Sequence, residues 1–121
     1  MLPFDVTENG VLIVRLRADL DIAGRAEAVE AINGYLGAHP SAPVLLELSD
    51  APLSTAAVSA VVRTHRMCHS SGAPMAVIAT EAGTRRALKA QAGREELVIR
   101  PSRPQAAAAL SATALPDVAA A

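Results

Sequence analysis

Aromatic residues make up only 2% of this 121-residue chain, so a surface on which bases could stack has almost nothing to be built from. The formal net charge is −1, which leaves no basic footprint for nucleic acid or for an acidic membrane. A single cysteine, Cys68, excludes an intramolecular disulfide and fits a reducing compartment. No unbroken apolar run approaches the roughly 18 residues that a membrane span needs, and "MLPFDVTENG" lacks the basic-then-apolar order of a secretory signal. A cytoplasmic protein that binds neither nucleic acid nor membrane is the expectation. What is abundant is aliphatic: 51% of the residues are hydrophobic, enough for one genuine core built from Val, Leu, Ile and Ala.

The patterning alternates between two periods. A strand is expected from about Val11 to Leu16, paired as a hairpin with a short strand near Phe4 to Val6 through the turn signal Asn9-Gly10. Val29, Ile32 and Leu36 then fall at helical spacing, predicting a helix over about Ala23 to Leu36 that ends near Gly37. "VLLEL", Val44 to Leu48, reads as a central strand buried on both faces. A second helix carries Val58, Val61, Val62, His65 and Cys68 on its inner stripe until "SSGAP" ends it. "MAVIA" reads as a strand, "EAGTRRALKAQ" as a third helix and "ELVIR" as a last short strand stopped by Pro101. The Ala-rich remainder predicts a further helix, with Pro104 in its first turn and loss of order after Pro116.

Repeated strand-helix-strand units imply an α/β domain with a mixed, mostly parallel sheet of about four to five strands and three to four helices. The domain is expected over residues 1–104, with 105–121 a partly disordered helix or tail. Sites in such sheets gather beyond the carboxyl ends of the strands. The loop after "VLLEL", which holds Ser54 and Thr55, is one such place.

Enzymatic constellations are missing. There is no G-x-S-x-G, GxxxxGK[ST] or GxGxxG, so no hydrolase elbow, phosphate loop or dinucleotide fold is argued. The histidines are His39, His65 and His69; "HRMCH" sets His65 and His69 four apart beside Cys68, a spacing that can hold a metal, but no third ligand on another element is evident. Cys68 on an apolar helix side fits inert packing better than a reactive thiolate. Neither catalysis, a metal nor a cofactor is therefore expected. Asp21, between strand and helix, is placed to cap the first helix, and either Ser54 or Thr55 to cap the second. No Glu or Gln follows three residues later to complete a capping box. The same hydroxyls stand where a phosphate would meet a helix N-terminus, which tolerates negative charge.

The whole order resembles the STAS domain of anti-sigma factor antagonists, over about Val11 to Arg100. "ADLDIAG" resembles that family's G-E-L-D segment before its first helix, and "VLLELSDAP" its L-x-L-D-L-S strand and turn. "VSAVVRTHRMCHSSGAPMAVI" resembles its second helix and the following strand, and "TRRALKAQ" its third helix. The family's switch motif is D-S-x-G-L, whose Ser is phosphorylated by the partner kinase. The resemblance puts Thr55 on that acceptor, Ser54 on the Asp, Ala57 on the Gly and Val58 on the Leu, with the preceding turn one residue shorter.

The resemblance implies a non-catalytic regulator that binds an anti-sigma factor, a serine/threonine kinase of the ATP-binding, histidine-kinase-like type. Thr55 is the implied acceptor, with Ser54 as second choice, and the implied contact face comprises Asp21, Ser54, Thr55, Ala57, Ser59 and Arg63. Two alternatives remain open here: a STAS scaffold that binds partners without phosphorylation, and a domain that binds a small molecule or nucleotide at the strand ends.

Overall fold

A computed structural model describes residues 4–7 and 10–120. Five strands form one sheet in the order β1-β2-β3-β4-β5, the order of the sequence. They are β1 (Phe4–Val6), β2 (Leu12–Leu16), β3 (Val44–Leu48), β4 (Met75–Ile78) and β5 (Ile99–Arg100). β1 pairs with β2 antiparallel, and every later pair is parallel. The helices are α1 (Ile22–Ala38), α2 (Thr55–Ser71), α3 (Ala82–Gln91) and α4 (Arg103–Ala120). The mixed, mostly parallel α/β sheet expected from the patterning is the one observed.

The side-chain period of two separates two cores. Leu12, Val14 and Leu16 of β2, with Val44, Leu46 and Leu48 of β3, face α1, α2 and α3. The helices answer with Ile32, Leu36, Val58, Val61, Cys68 and Leu88. On the other face Ile13, Leu45, Ala76 and Ile78 meet Ala106 and Leu110 of α4. Being covered on both sides is why β3 and β4 are apolar runs without alternation.

Element ends follow local chemistry. The turn before β2 is closed by a hydrogen bond from the Gly10 N–H to the Thr7 carbonyl, with Gly10 at φ 79°; Asn9, its expected companion, lies outside the described residues. α1 does not stop at Gly37 but continues to Ala38, where the His39 N–H bonds the Tyr35 carbonyl. Each interior Gly costs a helix about 1 kcal/mol, and burial of Ile32 and Leu36 against the sheet outweighs that cost. α2 ends at Gly72, whose φ of 73° lets its own N–H and that of Ala73 cap the last turn.

The inner stripe of α2 differs from expectation at one position. Thr64, not His65, is the fully buried residue of that turn. His65 is rotated to the edge, where its Nδ1 lies 2.8 Å from Glu95 Oε2. Among the described residues the Thr64 hydroxyl has no hydrogen-bond partner.

The final strand is shorter than "ELVIR" indicated, although the Val77 N–H to Val98 carbonyl bond continues its pairing. α4 starts with Pro104 in its first turn and is helical past Pro116. It is fastened to the sheet by Arg103, whose Nε and Nη2 donate to the two Glu47 oxygens at 2.8 and 2.9 Å. Glu47 also faces Arg15, at 3.6 Å, and Arg15 bonds Asp5 at 2.7 Å.

Candidate functional site

The carboxyl end of β3 leads through a proline-containing loop to the start of α2, and here the two hydroxyls part company. Ser54, in extended backbone at φ −88° and ψ 159°, is the N-cap: its Oγ accepts from the Ala57 N–H at 3.1 Å. That same hydroxyl donates to the Leu20 carbonyl, and the Ser54 N–H bonds the Ala18 carbonyl at 2.8 Å. Three hydrogen bonds thus tie Ser54 into α2 and into the loop between β2 and α1.

Thr55 is the first helical residue and is exposed. Among the described residues its hydroxyl makes no hydrogen bond. Ser54 is half-buried and committed, whereas Thr55 presents an unengaged Oγ1 to solvent at the positive end of a 17-residue helix.

Asp21 is exposed and caps α1, accepting from the Gly24 N–H at 2.7 Å. Because Leu20 is bonded to Ser54, this carboxylate sits on the loop that abuts the start of α2. Ser59 and Arg63 follow Thr55 at intervals of four, on one side of α2. Ser59 is half-buried; Arg63 is exposed and lines a shallow groove with Arg25, Glu30 and Asn33 of α1.

Ala57 does not join them. It is 0% exposed, its methyl turned into the packing beneath α2, so it offers a partner no surface. A helix buries whichever side faces its sheet, and Ala57 is on that side with Ala60 and Val61.

Patterning gave no warning of several neighbours. Ile22, the first residue of α1, is 68% exposed beside Asp21; an apolar residue is ordinarily read as core, and only its offset from the Ile32 stripe could have marked it as outward. Glu95, in the loop after α3, gathers His65 and Arg66, whose Nε donates to it at 2.8 Å. Hydrogen bonds from Arg66 first, and from His65, hold its carboxyl below the ordinary value. Among the described residues no group of His, Cys, Asp and Glu could hold a metal ion. Cys68 is buried, and desolvation pushes its thiol up to about 11, away from thiolate chemistry.

Fold and site define a small α/β domain that displays a solvent-facing hydroxyl at the helix start after its central strand. The STAS domain family model matches residues 5–106, and the chain belongs to that family. Among the solved structures that share the fold are two of the protein TM1081. Its NMR structure is 17% identical, with a TM-score of 0.66, covering 92% of this chain and 89% of that one. Its crystal structure, described as a candidate anti-sigma factor antagonist from Thermotoga maritima, is 15% identical, with a TM-score of 0.62 and coverage of 91% and 94%. No curated protein matches this sequence. Among the described residues no helix is long and apolar enough to cross a membrane.

Proposed function

We propose that this domain is an anti-sigma factor antagonist: it binds a kinase-type anti-sigma factor and is released when that kinase phosphorylates Thr55. The observation that carries the reading is the division of labour at the start of α2. Ser54 is held by its cap and by Leu20, while Thr55 is exposed and its hydroxyl is unengaged among the described residues. A kinase needs an acceptor that can enter its site without unfolding the substrate, and Thr55 meets that need where Ser54 does not.

The switch follows from charge. A phosphate brings close to two negative charges to Thr55, where the helix N-terminus stabilises them within the domain. Across an interface the same charges must be desolvated, and they stand near the carboxylate of Asp21. Binding is then opposed while folding is not. The contact surface is Asp21, Thr55, Ser59 and Arg63, without the buried Ala57.

The test is to capture the partner from native lysate, add ATP, and locate any added phosphate by mass spectrometry. Phosphate at Thr55, its loss in Thr55→Ala and its retention in Ser54→Ala are expected, with release of the partner. Stable binding in ATP with no phosphate added would instead support the non-switching scaffold.

A further inference from the structure

A groove of about 620 Å³ runs across the carboxyl ends of β2, β3 and β4, next to the start of α2 but separate from the Thr55 surface. Its size lies within the roughly 300–1,000 Å³ of small-molecule sites. Its apolar lining comes from Leu16, Leu20, Leu48 and Ile78, one from each strand end and one from the loop leading to α1. That lining is aliphatic, suited to an alkyl body.

The polar rim determines which head group fits. Both arginines are already committed: Arg15 to Asp5 and Glu47, and Arg17 to Asp19 through two hydrogen bonds of 2.9 and 3.1 Å. Glu47 is likewise held by Arg103. Asp50 differs. Its Oδ1 accepts from the Thr80 hydroxyl at 2.6 Å, which fixes the carboxylate at the groove, and among the described residues no cation pairs with it. An anion would meet arginines whose charge is already offset by a carboxylate, with Glu47 and Asp50 beside them. A cation needs to displace nothing.

We propose that this groove binds a small organic ammonium with an apolar body, its cationic head on Asp50 and its body on Leu16, Leu48 and Ile78. Occupancy is transmitted to α2, because Leu20 supplies a side chain to the groove and its carbonyl to the Ser54 hydroxyl. The Leu20 side chain lies over the first turn of α1, where a Cβ on Gly24 would come within 2.6 Å of its Cδ1, so the bare glycine leaves room for it. A ligand that shifts Leu20 therefore moves the cap of the helix that presents Thr55. The groove chemistry stands whether or not Thr55 is a phosphoacceptor.

The experiment is an amide NMR titration of the full chain with n-hexylammonium, hexanoate and 1-hexanol, three probes with one alkyl body and different heads. Saturable shifts at Leu48, Asp50 and Thr80 are expected, spreading to residues 54–57, with hexylammonium binding about fivefold tighter than hexanol, the size of a solvent-accessible ion pair. Asp50→Asn keeps an acceptor for Thr80, so it should remove that preference while leaving hexanol unchanged. Hexanoate binding as well as hexylammonium, an undiminished preference in Asp50→Asn, or shifts that do not saturate would each overturn the assignment. In Ser54→Ala the shifts at Asp50 should persist and those at the start of α2 should shrink; undiminished α2 shifts would refute the link through Leu20.

Discussion

The Ser54 hydroxyl donates to the Leu20 carbonyl while accepting from the Ala57 N–H, so one side chain joins the β2–α1 loop to the first turn of α2. Its neighbour Thr55, the first residue of α2, takes part in none of these bonds. Adjacent hydroxyls of nearly equal chemistry are thereby assigned to different tasks by one residue's difference in backbone position.

Stability separates the two directly. Ser54→Ala removes a cap, at a cost of about 1 kcal/mol, and leaves the Leu20 carbonyl without its donor, for a total of roughly 2 kcal/mol. Thr55→Ala is a surface change and should stay within about 0.5 kcal/mol. Urea unfolding midpoints measure both, and equal effects would contradict the division of labour.

Thr64 offers a gain. Its hydroxyl is buried and, among the described residues, unpartnered, so the fold carries a desolvation cost that a methyl group would not. Thr64→Val, nearly the same shape, should raise stability by about 1 kcal/mol. An unchanged or lower unfolding midpoint would show that the hydroxyl has a partner in solution.

The Glu47–Arg103 pair predicts an acid dependence. The Arg103 hydrogen bond, aided by its charge and that of Arg15, lowers the Glu47 carboxyl below its ordinary value of 4.5. A depressed carboxylate contributes stability that is present above the unfolded value and lost as pH falls through the folded one. Stability should therefore decline as pH falls below about 4.5, and the decline should be shallower in Arg103→Ala. Unfolding curves collected from neutral pH into that acid range, with identical slopes in both proteins, would remove the pair from the account.

Cys68 should be silent. With its thiol pushed up to about 11 and its side chain 1% exposed, it should react with a thiol reagent at neutral pH only after unfolding. Fast labelling of the native domain would place it elsewhere.

The fold was largely legible because its signals are local and strong. "VLLEL" and "MAVIA" are apolar runs of strand length, and the period of the intervening segment changes to that of a helix. The same patterning failed where direction mattered within a turn. Val58, Val61, His65 and Cys68 are compatible with one stripe, yet a small rotation puts Thr64 inside and His65 on Glu95. Ala57 was misplaced for a related reason: alignment with a glycine of a motif says which position it fills, not which way a methyl points. The strand ends were legible as the place for a site, but not the residues of the groove, since Asp50, Thr80 and Leu20 are brought together only by the parallel register of three strands.

The strand order, identical to the order of synthesis, bears on how the chain reaches its structure. No strand has to be threaded between two others already paired; each new strand docks on the free edge left by the one before it. Each parallel pairing nevertheless spans a helical crossover, as in Leu12 with Val44 and Val44 with Met75, so it closes a loop of roughly thirty residues and forms more slowly than the local β1–β2 hairpin. Only α4 crosses to the opposite face, after every strand is in place, where Arg103 reaches a glutamate that the chain laid down 56 residues earlier.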